Sequence, residues 1–264
     1  MVVRVLPGPP RACGRHALHI GEDPILWTDR FTLEGGAIGE ARRAVRKAEH
    51  AGLVVRQGWP GEAFEPGLAD ELRAVSQEWL HDHAGGEKSF CMGRFDPRHL
   101  SRSWRSVAWN PARRRVEGFT TWEPIPARQG WALDLMRRRR DAAEGTMELL
   151  VVRAVETARE RGDAMLSLGL SALARVDADE APGPAEADRA RAFLTRHLGR
   201  FYDFRGLFTW KKKFAPAFED RYLVYPGALA LPRVALALAR AQSPGGFRSY
   251  LGRLRPAGRT RGAA

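Results

Sequence analysis

The phrase "GWALDLMRRRRDAAEGTMELL", residues 130 to 150, sets an isolated carboxylate beside a block of cations. Asp134 stands among apolar neighbours, so a strand there would partly desolvate it. A carboxylate in that position is either paired or raised in pKa, the condition in which carboxylates do chemistry. A plain ion pair with a nearby arginine is the bland alternative. Arg137 follows three residues on and can pin Asp134 or meet a phosphate. Arg138, Arg139 and Arg140 read as a solvated loop face with one anion contact among them. Glu148 falls in the first turn of the next helix, where the helix dipole favours a carboxylate whatever the chemistry.

A second phrase, "WKKKF" at 210 to 214, interleaves cations with aromatics. Read as a strand, it puts Lys211 and Lys213 on one face and Lys212 on the other. Two cations facing a cleft can bind a phosphodiester or steady an oxyanion. An edge strand guarded by lysines against aggregation is the competing reading. Arg221 and Tyr222 open the last strand. The seven histidines show no spaced ligand pair with acidic company, so no metal is assigned.

The elements that must position these groups follow from pattern. Residues 1 to 30 read as an irregular entry with a short strand. "GAIGEARRAVRKAEHAG" has helical period, with Ile38, Ala41, Val45 and Ala48 on one face. "LVVRQG" reads as a strand and "PGLADELRAVSQEWLHDHAGG" as an amphipathic helix. A hairpin spans Trp104 to Ile125 around "NPARR", and "GWALDLM" adds a third antiparallel strand. A helix over "GTMELLVVRAVETARERG", a strand over "AMLSLGLS", a helix near 188–199 and a last strand complete the order. This is an α+β layout with a mixed, mostly antiparallel sheet flanked by helices, as in GNAT-type acyltransferases. In that fold the loop before the central helix offers backbone N–H groups to a pyrophosphate. Here that place is held by the arginine-rich, glycine-poor residues 137 to 146.

Composition narrows the setting. The chain has 264 residues, 44% of them hydrophobic, enough for one sizeable core. No apolar run approaches the ~18 residues of a membrane span, and two cysteines make no disulfide framework. A cytoplasmic protein is the reading. Of the net charge of +12, residues 200 to 264 carry 13 basic and 3 acidic residues, a net +10. Such an end attracts phosphate, whether of nucleic acid or of an anionic membrane surface. Residues 231 to 264 are expected to form a short helix and a basic, disordered tail.

Five separated phrases, "FTLEGGAIGEARRAVRKAEHAG", "FCMGRFD", "LDLMRRRRDAAEGTMELL", "LSLGLSAL" and "FYDFRGLFTWKKKFAPAFEDRYLVYP", together resemble the catalytic domain of the phosphatidylglycerol lysyltransferase (aminoacyl-phosphatidylglycerol synthase) family over roughly residues 16 to 233. The Met-Asp of that family's helix start stands here as Met147-Glu148. The resemblance implies transfer of an aminoacyl group from aminoacyl-tRNA to a phosphatidylglycerol hydroxyl, with no cofactor and no metal. It implies catalytic roles for Asp134, Arg137, Glu148 and Lys211, and substrate contacts at Arg140, Lys213, Arg221 and Tyr222. Asp134 would orient the hydroxyl or hold the aminoacyl ammonium, and Glu148 the ammonium. The family commonly carries two GNAT-like lobes behind a membrane region. Residues 31 to 230 are therefore expected to be the second lobe and residues 1 to 30 a remnant of the first. A separate membrane-embedded subunit is a possible partner, and the expected location is the inner face of the membrane. An acyl-CoA N-acyltransferase, or a non-catalytic module binding anionic lipid or RNA, are the alternatives.

Overall fold

The computed structural model describes residues 16–82, 93–172 and 204–226, with four positions between 230 and 237. The expected helix near 188–199, most of the short helix expected from residue 231 and the basic tail lie outside the described residues. One eight-stranded sheet is built from β1 (His16–Trp27), β2 (Val54–Gly58), β3 (Trp104–Asn110), β4 (Arg115–Ile125), β5 (Gly130–Arg138), β6 (Met165–Ser167), β7 (Ser171–Ala172) and β8 (Ala217–Tyr225). Its order is β2-β3-β4-β5-β6-β1-β7, with β8 also paired to β1. The β3–β4–β5 meander is antiparallel, and β6 then returns parallel to β5. This is the mixed sheet that the pattern implied.

Helices α1 (Gly39–His50) and α4 (Thr146–Glu160) cover one face. The predicted apolar stripe of α1, Ile38, Ala41, Val45 and Ala48, is buried against Leu149, Val152 and Trp104. The other face carries α2 (Leu68–Asp82) and the short α3 (Pro97–Leu100). Leu72, Val75 and Leu100 close a second cluster there with Val107, Phe119 and Leu135. Alternation along β3 and β4 feeds both clusters, as a strand's two-residue period requires.

Three expectations are corrected. The entry segment is, over His16–Trp27, a 12-residue strand hydrogen-bonded to β6, β7 and β8, so this part of it is integral to the sheet. Its Glu22-Asp23-Pro24 hides the strand pattern, yet Asp23 is buried because Arg221 and the Ser167 hydroxyl bind its carboxylate. The run "AMLSLGLS" is two strands, broken at Gly169, whose φ is +78°. The lysine phrase is not a strand. It ends helix α5 (Phe204–Lys212), because Trp210 and Phe214, one turn apart, both pack into the core.

Two features of β5 shape the site. The register slips between Thr120↔Met136 and Trp122↔Leu133, so Thr121 faces two residues, Asp134 and Leu135. This bulge turns two consecutive side chains to the α2–α3 face. Thr121 Oγ1 pins it by accepting the Leu135 amide at 3.0 Å. Secondly, β5 pairs with β6 only over Gly130–Ala132, and then runs on to Arg138 without it. The two strands part at Leu133.

Candidate active site

Asp134 sits just past that parting, its side chain 17% exposed. Burial pushes its carboxyl above the ordinary carboxylate range. The Gly93 amide, the imidazole of His99, the Thr121 hydroxyl and the more distant Arg137 oppose that shift without cancelling it. A Cβ on Gly93 would overlap the carboxylate, so only glycine can bring its backbone this close. His99 Nε2 lies 3.8 Å from Asp134 Oδ2 and 3.2 Å from Glu123 Oε1. The Ser103 hydroxyl donates to Glu123 at 2.5 Å. None of these partners was legible beforehand, because they come from α3, β4 and a loop. One signal existed: "FDPRHL" places Asp96 and Pro97 as helix cap and first residue, and Asp96 accepts the Arg98 amide at 2.9 Å.

The arginine run, read from sequence as a solvated face with an anion contact, is largely taken up by α2. Arg137 is buried against α2, donating to the Ser76 hydroxyl with its guanidinium 5.2 Å from the Trp79 ring. Arg139 binds Glu71 at 3.1 Å and Glu78 at 3.2 Å. Arg140, expected to contact substrate, forks onto Asp82, and its amide donates to Glu78. Helix α2 thus supplies acceptors for three of the four, and they fasten it to the sheet edge.

Beyond the parting lies a second polar group. Glu148, in the first turn of α4, accepts from Trp210 Nε1 at 2.9 Å and Lys213 Nζ at 3.3 Å. Lys211 is 2% exposed and donates to the Gly169 carbonyl at 2.8 Å and the Ser171 hydroxyl at 3.4 Å. Burial pulls its ammonium down to about 8, against the opposing attraction of Asp23. Lys211 and Lys213 do turn inward and Lys212 outward onto Phe208, but a helix end does this, not a strand face. Arg221 lies within β8 and binds Asp23 and Glu219. Tyr222 packs its ring 5.3 Å from His19 and reaches Asp220 at 3.4 Å. The structure therefore joins Glu148 with Lys213, and sets Lys211 and Arg221 around Asp23. Arg137 and Arg140 stand apart. Gly169 approaches the Leu133 carbonyl, so the Lys211 and Asp134 groups flank one residue of β5.

The model of the family described as phosphatidylglycerol lysyltransferase, C-terminal, matches residues 11–225, a stretch that contains both polar groups. The chain belongs to this family. Members and relatives agree with it along most of its length. The phosphatidylglycerol lysyltransferase of Bacillus subtilis is 28% identical over 212 residues, 80% of this chain and 24% of that protein. The lysylphosphatidylglycerol biosynthesis bifunctional protein LysX of Mycolicibacterium gilvum is 28% identical over 234 residues, 88% of this chain and 21% of the relative. The structure of L-PGS from Bacillus licheniformis superposes with a TM-score of 0.71 at 26% identity, covering 86% of this chain and 67% of that one. The chain thus spans about a quarter of these curated relatives. No helix among the described residues is long and apolar enough to cross a membrane.

Proposed function

We propose that this phosphatidylglycerol lysyltransferase-family domain moves an aminoacyl group from aminoacyl-tRNA to a phosphatidylglycerol hydroxyl. The family match across residues 11–225 carries the reading. The chemistry asks little of a cofactor, since the aminoacyl ester is already activated. The lipid hydroxyl oxygen attacks the ester carbonyl, the bond to the tRNA ribose oxygen breaks, and the hydroxyl proton passes to that leaving oxygen. Asp134, made more basic by burial, receives the proton or holds the aminoacyl ammonium beside it. Lys211, a cation in a dry setting, steadies the oxyanion or the lipid phosphate. Glu148, flanked by Trp210 and Lys213, is the second place for an ammonium.

The acyl-CoA alternative is disfavoured where α4 begins. A Cβ on Gly145 would overlap the carbonyl of Ala44, so α1 crowds the turn that would cradle a pyrophosphate. Attachment to an anionic membrane face through the basic C-terminal residues, with a membrane-embedded partner, completes the proposal. Radiolabelled aminoacyl-tRNA incubated with the chain and phosphatidylglycerol vesicles tests it. Label should move into the lipid phase, and cosedimentation with the vesicles should fall at high salt. Acetyl transfer from acetyl-CoA with no labelled lipid would overturn the reading.

A further inference from the structure

We propose that His99, Glu123 and Asp134 form a binding site for a divalent transition-metal ion of the zinc class. Among the described residues these three are the one group of His, Cys, Asp or Glu with ligand atoms mutually close enough, all within 4.8 Å. Around a tetrahedral ion with bonds of about 2.0–2.2 Å, neighbouring ligand atoms lie roughly 3.3–3.6 Å apart. The two distances from His99 Nε2, 3.2 Å to Glu123 and 3.8 Å to Asp134, bracket that value. The third separation, Glu123 to Asp134, lies within 4.8 Å, so side-chain rotation is what closing the set requires.

Each carboxylate is also oriented by a second donor, on the same oxygen that faces His99: Oε1 of Glu123 and Oδ2 of Asp134. Ser103 donates to Glu123, while the Gly93 amide and the Thr121 hydroxyl hold Asp134. Side-chain exposure falls from 45% at His99 through 35% at Glu123 to 17% at Asp134. That gradient gives an entry path and leaves a coordination position open to water. Two carboxylates face one imidazole here, and Arg137, the more distant cation, is engaged by Ser76 and Trp79. One imidazole nitrogen with two carboxylates suits zinc or cobalt over calcium and magnesium, which take oxygen-only shells. A bound ion withholds Asp134 from substrate. That consequence, unlike the site itself, rests on the transfer reading.

The test needs neither tRNA nor lipid, so it succeeds or fails apart from the transferase reading. The chain, stripped of metal and with Cys13 and Cys91 replaced by serine, is titrated with zinc by calorimetry and with cobalt by visible absorption. One ion should bind per chain. His99→Ala and Glu123→Gln should each weaken binding by more than tenfold, and Ser103→Ala by about 10-fold. Arg140→Ala should change nothing. Circular dichroism melting checks that each variant is folded. No saturable binding in the parent, or unchanged binding in folded His99→Ala, would show a simple ion pair and overturn the site.

Discussion

The chain has two runs of cations, Arg137–Arg140 and Lys211–Lys213, and the fold uses them in opposite ways. Three of the arginines meet acceptors on α2: a hydroxyl and an indole ring for Arg137, carboxylates for Arg139 and Arg140. They join a helix to a strand edge. In the lysine run the helical turn separates neighbours. Lys212 lies outward on Phe208, Lys213 pairs with Glu148, and Lys211 is buried on a carbonyl and a hydroxyl. The difference is one of partners. A guanidinium already matched by a carboxylate, as at Arg139 and Arg140, adds little attraction for a phosphate. The desolvated Lys211 ammonium is, among the described residues, hydrogen-bonded only to neutral groups, with Asp23 attracting it from farther off. Three of the four arginines make contacts that fasten α2, and the shorter run holds the reactive candidate.

The contrast can be broken by mutation, and Asp134 should show the largest effect. Asp134→Asn keeps the shape and the contact with Gly93, yet should lower aminoacyl transfer by on the order of 10²–10⁴. Its melting temperature should stay near the parent's. Full turnover with a lowered melting temperature would instead mark an ion-pair role.

Lys211→Met should come next, lowering transfer by about 10²–10³, the range for losing one oxyanion donor, while leaving the fold intact. Its pH dependence gives a second reading. With the folded ammonium at about 8 against an ordinary 10.5, transfer that needs the cation should decline as pH rises through 8. Over the same interval the unfolded chain binds more protons than the folded one. Stability from this group should therefore rise between pH 8 and 10.5, and Lys211→Met should abolish that rise in a melting series. Transfer that climbs above pH 8 would make Lys211 a base.

The arginine run should respond in stability alone. Ser76→Ala removes the hydroxyl that receives Arg137 and should cost about 1–3 kcal/mol in denaturant unfolding, with transfer per folded molecule unchanged. The smallest effect is expected at Arg140, whose guanidinium is solvent-exposed on Asp82. Arg140→Ala should alter neither melting nor transfer measurably, and a loss of lipid or tRNA binding would return it to the site.

Local pattern determined the parts of this protein whose physics is local. The apolar stripe of α1, the Asn110-to-Arg115 turn between β3 and β4, and the helix over Thr146–Glu160 all follow from period and turn chemistry acting over a few residues. An isolated carboxylate at Asp134 was equally plain, because a polar residue in an apolar strand must be accommodated somehow. Tertiary structure alone decided how. A one-residue bulge against Thr121 selected the face for Asp134, and Gly93, His99 and Glu123 reached it from separate elements. Likewise the strand His16–Trp27 looked irregular because its Glu22 and Asp23 break the apolar pattern. Asp23 is buried by Arg221 and Ser167, far along the chain. Desolvation and ion pairing depend on distances in space, and sequence separation does not encode those distances.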